Sequence, residues 1–257
     1  MSVNRISKDF HLSRSTIYRL LNPVPVRDAL KEEIKSIALD NPAFGYRRIH
    51  VLLKQKGIHV NHKRVYRIYT QLNLQRPANI SKKIHLNRSS HHLTQPVFPG
   101  HVWSADFIER MLRGRKFRAF VIIDDYTKRI MGYYLAFSIP GQRVLDVFEN
   151  SIAIYSRPRV FRTDNGPEFR YNRLNLFLEN ARIKHEFIQV GKPYQNPFSE
   201  GFNSRFSDEC LKRYDFSLMS VEEIKSVITK WLEWYNYQRP HSAINYEFPV
   251  KYHIRAY

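Results

Sequence analysis

The sequence predicts an α/β chain, with an all-helical N-terminal region followed by a mixed five-stranded sheet flanked by helices. Three observations carry this reading. Apolar residues recur at helical spacing up to about residue 75. Residues 76–100 hold prolines, serines and histidines with no period. From residue 101, three β-rich runs follow one another and then alternate with helical patterns. The chain therefore divides into a helical region 1–75, a linker 76–100 and an α/β core 101–257 with a C-terminal helical extension.

Residues 5–21 read as a short helix, a turn and a second helix. Ile6 and Phe10 lie four apart on one face, and Leu12 can plug the turn. Ser13 can cap the second helix, in which Ile17, Leu20 and Leu21 recur at helical spacing. Arg14, Ser15, Thr16 and Arg19 then face outward, which suits the DNA-reading half of a helix-turn-helix; an ordinary helical hairpin shows the same pattern. Another helix is expected over 28–39, ended by Asn41-Pro-Ala-Phe-Gly-Tyr. One follows from Tyr46, stopped by Gly57, and one over 62–72 with Val65, Ile68, Tyr69 and Leu72 on its apolar face. Arg47, Arg48, Lys63, Arg64 and Arg67 are candidates for phosphate contacts, which position DNA without reading it. The His91-His92 pair in the linker has no partner ligands nearby in sequence and is assigned no metal role.

In the core, 102–108, 117–123 and 130–137 are expected strands, with a turn at Arg113-Gly-Arg. Residues 142–155 suit a helix packed on a sheet, and 160–162 a short strand leading to Asp164. A helix over 168–181, a strand over 184–188 and a helix from about residue 199 follow. Residues 231–241 are expected to end the last long helix and fold back on the core. Trp231, Trp234 and Tyr235 are read as core, and Arg239 and His241 as available to DNA.

The chain carries 42 Lys and Arg against 23 Asp and Glu, a net charge of +19. Residues 1–100 hold 18 of those bases against 5 acids, so the phosphate-binding surface is expected there and the acid chemistry beyond it. The single cysteine, Cys210, excludes an intramolecular disulfide and a two-cysteine, two-histidine zinc site. No apolar run approaches the ~20 residues of a membrane span, and the first residues lack the apolar stretch of a secretory signal. A cytoplasmic, nucleoid-associated protein with no membrane partner is expected.

Against so few acids, three stand out. Asp106 ends the apolar-aromatic run His101-Val-Trp-Ser-Ala-Asp106, Asp164 opens a turn after a short strand, and Glu200 lies where a helix begins. Asp164 and Glu200 are separated by 35 residues. Two hard divalent cations about 3.5–4 Å apart need shared carboxylate oxygens of this kind, without thiolate or imidazole. Asp124 and Asp125 are rival acids at a strand end, read as structural or as supports of the site, and Glu168 and Glu209 are read as helix-surface or supporting groups. Asn165 and Gly166 shape the turn beside Asp164; a plain turn and a DNA contact are both open for Asn165. On a helix beginning near Glu200, Asn203, Ser204 and Ser207 share its face.

Several segments together carry a resemblance over nearly the whole chain. They are Gly45-Tyr-Arg-Arg-Ile, Val60-Asn-His-Lys-Arg-Val-Tyr-Arg, Trp103-Ser-Ala-Asp106-Phe and Asp124-Asp-Tyr-Thr-Lys-Arg. Further on come Thr163-Asp164-Asn-Gly-Pro-Glu-Phe, Gln195-Asn-Pro-Phe-Ser-Glu200, Asp208-Glu-Cys-Leu and Tyr235-Asn-Tyr-Gln-Arg-Pro-His-Ser-Ala. In this order they resemble the DDE transposase and retroviral integrase superfamily, specifically the catalytic reading frame of bacterial insertion-sequence transposases. The resemblance implies a ribonuclease-H-like sheet that gathers Asp106, Asp164 and Glu200 as ligands of two Mg2+ ions, with Mn2+ able to substitute. It implies strand cleavage at element ends followed by attack of the freed 3′-hydroxyl on another phosphodiester. It also implies double-stranded DNA partners (terminal inverted repeats and target), a homo-oligomer on DNA, and an upstream-frame protein or frameshift fusion. Asn203 and Arg205 then join Asn165 as DNA contacts of the core. The chain departs from these relatives at Ser207, where they usually carry Lys or Arg; at Pro197 and Gly201, where small residues and Ser are usual; and at Phe248.

Two other readings remain: a nuclease of the same chemistry acting on structured or RNA-paired substrates, and a non-catalytic or decayed DNA-binding regulator. A tyrosine recombinase lacks its arginine, histidine and late tyrosine pattern here, and a zinc-bearing retroviral integrase cannot be built with one cysteine.

Overall fold

The computed structural model describes residues 3–10, 13–21, 26–75, 93–112, 114–189 and 197–256. Residues 76–92 of the expected 76–100 linker with its His91-His92 pair, the Leu12 plug, Arg113 of the expected turn, and the side chains of Ser15, Arg19, Leu20 and Leu21 lie outside the described parts. The chain forms two compact units, Met1–Ile80 and Ser81–Tyr257.

The first unit is all helical: α1 (Val3–Asp9), α2 (Arg14–Leu21), α3 (Val26–Asp40), α4 (Tyr46–Gln55) and α5 (His62–Gln71). Ser13 caps α2, its hydroxyl accepting from Thr16 N at 3.2 Å, and Ile17 is buried. Ile34, Ile37, Phe44, Ile49, Leu53, Val65, Ile68 and Tyr69 are buried in α3–α5 and the turn between α3 and α4. The Tyr69 hydroxyl donates to the Phe44 carbonyl across that core. Gly57 ends α4 with φ +77, the left-handed conformation a glycine adopts without steric cost. The Asn61 side chain caps α5 by accepting from Lys63 N.

The second unit is built on a sheet of order β3-β2-β1-β4-β5. Strands β1 (Val102–Leu112), β2 (Arg115–Asp124) and β3 (Ile130–Ala136) form an antiparallel meander, and β4 (Val160–Thr163) and β5 (Lys184–Phe187) join in parallel. Helices α6 (Gly141–Tyr155) and α7 (Asn172–Asn180) cover one face, burying Trp103, Ala105, Phe120 and Ile122 against Phe148 and Leu174. Helix α8 (Pro197–Phe206), a π-helical turn Ser207–Leu211 and α9 (Val221–Tyr237) cover the other. There Ala119, Val121 and Ile123 meet Phe202, Phe206, Trp231 and Tyr235. A last helix, α10 (Pro249–Arg255), which the sequence reading does not anticipate, opens on proline at its first position. Among the described residues no helix is long and apolar enough to cross a membrane.

Two expected boundaries differ. β1 runs to Leu112 rather than residue 108, because Glu109 pairs across the hairpin with Lys116 and Arg118 and carries the strand past the core edge. The helix expected from 168 begins at Asn172. Phe169 N and Arg170 N bond back to the Gly166 carbonyl, so 166–170 is a turn. Glu168 is therefore not on a helix.

Polar groups lock the unit from within. Arg162 of β4 is 2% exposed and reaches Asp125 at 3.0 Å and Glu186 of β5 at 2.8 Å; Ser104 also donates to Asp125. Asp124 accepts from the backbone N–H groups of Gly100, Tyr126 and Thr127. Both acids thus act structurally. The two expectations at the far end need correction. Glu209 is not on the helix surface but buried in the π-helical turn, and Arg239, 0% exposed, donates to it through Nε at 2.6 Å and through Nη2. His241, 4% exposed, contacts the same guanidinium. Arg239 and His241 are therefore closed to DNA and brace the turn that continues α8. Trp231 and Tyr235 are buried, as expected of core residues.

Removing one partner of this pair leaves a buried charge without its counter-ion. Arg239→Met is expected to destabilise the protein by about 3–5 kcal/mol in urea unfolding, and the double variant Glu209→Gln/Arg239→Met by clearly less than the sum of the two singles. Additive losses would show that the pair is not coupled.

Candidate active site

Side chains alternate along β1, and that alternation decides where Asp106 points. Trp103, Ala105 and Phe107 pack toward α6 and α7, whereas Ile108 packs toward α8 and α9. Asp106 shares the parity of Ile108 and so faces α8. The parallel register pairs Ser104 of β1 with Arg162 of β4. Two residues further along both chains, Asp164 emerges just past β4 at the level of Asp106. Helix α8 carries Glu200 in its first turn.

The environment of Asp106 disfavours its charged form. Asp106 is half-buried, and its carboxyl is pushed up from 3.8 to about 6, chiefly by burial, with repulsion from Asp164 and Glu200 adding to it. Two hydrogen bonds act in the opposite sense. Asn203 Nδ2 donates to Asp106 Oδ2 at 2.8 Å, and Phe107 N donates to Oδ1 at 2.8 Å. The other polar atom of that amide, Asn203 Oδ1, is buried without a hydrogen-bond partner. Asp164 Oδ1 accepts from Gly166 N at 2.8 Å, which fixes the turn. Glu200 is exposed. As they stand, no three His, Cys, Asp or Glu side chains among the described residues form a group that could hold a metal ion.

The loop after Asp164 is tied to the sheet. Arg118 of β2 forms an ion pair with Glu168 and another with Glu109, while its guanidinium lies over the Phe107 ring at 4.1 Å. Asn165 spends its Nδ2 on the Ile188 carbonyl at 2.9 Å, and its Oδ1 accepts from Arg170. Sequence reasoning missed the Arg118–Glu168 tie. The Glu168 of Asn-Gly-Pro-Glu-Phe was visible, but its partner lies 50 residues away on a strand whose alternation gives no hint of it. Asn203 was seen to share a face with Glu200, but its bond to Asp106 required the helix to be docked on β1.

In the helical unit, Arg14, Arg47, Lys63, Arg64 and Arg67 are exposed. Thr16 is half-buried, and Arg48 is half-buried over the Phe44 ring at 5.1 Å. Tyr46 and Tyr66 meet edge to face between α4 and α5, and Arg47 donates to the Tyr46 hydroxyl.

Comparison with known proteins adds to this geometry. Residues 97–193 and 181–249 match two family models that are both described as an integrase core domain, and residues 25–79 match an HTH-like domain. The last match covers α3–α5, downstream of the α1–α2 pair that the sequence pattern suggested for DNA reading. The chain is 33% identical over 262 residues to an uncharacterized 31.7 kDa protein of insertion element IS407 from Burkholderia multivorans, covering 100% of this chain and 93% of that one. It is 25% identical over 265 residues to the putative transposase InsK of insertion sequence element IS150 from Escherichia coli, covering 96% and 91%. Among solved structures, the HTLV-2 integrase catalytic core domain in complex with magnesium aligns with a TM-score of 0.51 at 19% identity, over 62% of this chain and 99% of that one. A simian T-cell lymphotropic virus intasome aligns with 0.56 at 15% identity, over 79% and 70%. At such identities the likeness shows a shared fold.

The raised Asp106 carboxyl makes a prediction with a definite sign. Its protonated form is favoured in the folded state, so that contribution to stability is full below pH 3.8 and is lost as pH rises through about 6. In EDTA, Asp106→Asn is therefore expected to be more stable than the parent at pH 8, by about 1–3 kcal/mol in urea unfolding. The gap should close toward pH 4.5. A variant no more stable at pH 8 would show that the carboxylate is not strained there.

Proposed function

This chain belongs to the integrase-core family of DDE transposases and retroviral integrases, as its insertion-element relatives do, and from that premise we propose that it is an insertion-sequence transposase that cuts and joins DNA at its element's ends. The observation that carries the proposal is that Asp164 and Glu200 both add to the upward shift of the Asp106 carboxyl, after burial.

The residues fit a divalent metal by their chemistry. The set is all hard oxygen donors, and the buried, unpartnered Asn203 Oδ1 adds another acceptor beside Asp106. Asp106, Asp164 and Glu200 would hold two Mg2+ ions, with Mn2+ a substitute. When bound, the ions supply stabilisation of the charge that grows on the reacting phosphate and lower the pKa of the attacking hydroxyl. The protein's own part is positional. Asn203 holds the Asp106 carboxylate toward α8, the Gly166 N–H fixes the Asp164 turn, and the Arg118–Glu168 pair anchors the loop behind it.

The reaction divides into two in-line displacements. A water oxygen attacks phosphorus at the element end, the P–O3′ bond breaks, and the 3′-oxygen leaves with a proton. The freed 3′-hydroxyl then attacks a target phosphodiester, forming one P–O bond and breaking another, so joining needs no nucleotide triphosphate. The exposed cations Arg47, Lys63, Arg64 and Arg67, together with Arg14, Ser15, Thr16, Arg19 and Arg48, would hold terminal-repeat and target duplex through phosphates. Asn165 and Arg205 would add contacts in the core. A homo-oligomer would hold two ends together, with an upstream-frame protein, or a frameshift fusion to it, as a further partner. The rival reading, a DNA-binding regulator with a silent core, draws on Ser207, which stands where these relatives usually carry Lys or Arg.

The test uses a labelled duplex carrying the DNA ends that flank this gene, with Mg2+, Mn2+ or EDTA. The parent protein is expected to give nicked and joined products only with metal, and Glu200→Gln to bind the duplex equally while losing at least ~100-fold in both products. Products that persist in Glu200→Gln would overturn the assignment. Tight binding without cleavage by the parent, with or without the upstream-frame protein, would favour the regulator.

A further inference from the structure

The last strand pair of the sheet carries an imidazole with a partner on each ring nitrogen. In the β4–β5 register His185 lies opposite Phe161, and Phe187 lies opposite Thr163. The His185 ring is half-buried, stacked on Phe161 at 5.6 Å between centroids and leaning on Phe187 at 4.0 Å. Its Nε2 is 2.9 Å from the Thr163 hydroxyl, and its Nδ1 is 3.0 Å from the side-chain amide of Asn175 on α7. Thr163, 0% exposed, extends the chain: its hydroxyl oxygen is also 2.9 Å from the Asp164 carbonyl oxygen.

Counting protons decides how this chain is wired. A carbonyl only accepts, so the single Thr163 hydroxyl proton is the one that goes to Asp164. Thr163 then accepts from His185, which places the ring proton on Nε2. Nδ1, left without a proton, accepts from Asn175, whose amide nitrogen faces it after a half-turn that exchanges two atoms of nearly equal size. A doubly protonated ring would satisfy the same contacts, but burial opposes it and pushes the imidazole from 6.5 down to about 4. The other neutral tautomer would draw the hydroxyl proton to Nε2 and leave two oxygens 2.9 Å apart with no proton between them.

The consequence falls on Asp164. Its carbonyl belongs to the peptide leading to Asn165, so holding that oxygen fixes the backbone angle beside the carboxylate. The neighbouring ties act on other groups: Ile188 N donates to the Thr163 carbonyl, Asn165 Nδ2 to the Ile188 carbonyl, and Gly166 N to the carboxylate itself.

We propose that His185 is a positioning residue for the Asp164 carboxylate: as the Nε2–H tautomer, oriented by Asn175, it commits the Thr163 hydroxyl to the Asp164 carbonyl. That Asp164 is a metal ligand rests on the transposase reading; the hydrogen-bond chain does not.

The test uses the full chain with Thr163→Val, Thr163→Ser, His185→Phe and the Thr163→Val/His185→Phe pair. Phenylalanine keeps an aromatic ring against Phe161 and Phe187 while removing both nitrogens. Nitrogen NMR of histidine-labelled parent protein reads the tautomer without metal, the His185 signals being those that vanish in His185→Phe. The EPR signal of free Mn2+ reads metal affinity, scored for the binding that Asp164→Asn abolishes. His185 is expected as Nε2–H. Thr163→Val and His185→Phe should each weaken Mn2+ binding by about 10-fold or more, the pair no more than the stronger single, and Thr163→Ser should stay within about twofold of the parent. Variants that unfold at lower urea yet bind Mn2+ as the parent does would show a merely structural role and overturn the proposal. An Nδ1–H ring in the parent would overturn it as well. A parent with no Mn2+ binding that depends on Asp164 would instead overturn the metal-site reading, whatever the tautomer.

Discussion

The two-residue period of β1 is the constraint on which the site depends. One strand, buried on both faces, must send Trp103 and Ala105 to one helical layer and Asp106 and Ile108 to the other. A slip of one residue would exchange these sets, moving the carboxylate beneath α6 and α7 and Trp103 toward α8. The aromatic packing of Trp103 on Phe148 and of Phe107 on Phe120 and Phe169 opposes such a slip. The same packing that stabilises the core therefore aims the acid. The parallel pairing of β4 then brings Asp164 alongside, through a crossover that includes α6.

Buried ion pairs take over where apolar packing ends. Arg162 ties β4 to β5 and to the Asp125 corner, and Thr94 is bound into the same network through Glu186, so the chain entering the core is fastened beneath the sheet. Arg239 holds the π-helical turn behind α8. Such turns widen a helix by one residue and recur near functional sites. Here α8 brings Asn203 to Asp106 of β1, and the turn that follows carries Cys210 and Leu211 into the core. Pairs of this kind add little net stability over apolar packing, but they make departure from the paired geometry costly.

Much of this was legible in the sequence because the signals were local and periodic. The five strands, the helix over Gly141–Tyr155 and the helical spacing of Val65, Ile68 and Tyr69 all follow from repeated apolar positions. The three acids were legible as residues of a type scarce in this chain, Asp164 just past a strand and Glu200 near a helix start, whereas Asp106, read as the end of an apolar run, lies inside β1. Side-chain commitments between distant segments were not. Arg239 reads like a surface base, yet its partner Glu209 lies 30 residues before it. Asn203 reads like a polar helix face, yet it meets Asp106 across 97 residues.

The central claim is that Asp106, Asp164 and Glu200 are gathered by this fold to share metal. Manganese anomalous diffraction from crystals of the protein with its end duplex tests it most directly. The account predicts anomalous density within about 2.0–2.2 Å of carboxylate oxygens from Asp106 and Asp164, with Glu200 turned inward to join them. Ordered manganese elsewhere, with the three carboxylates still apart around bound DNA, would contradict it.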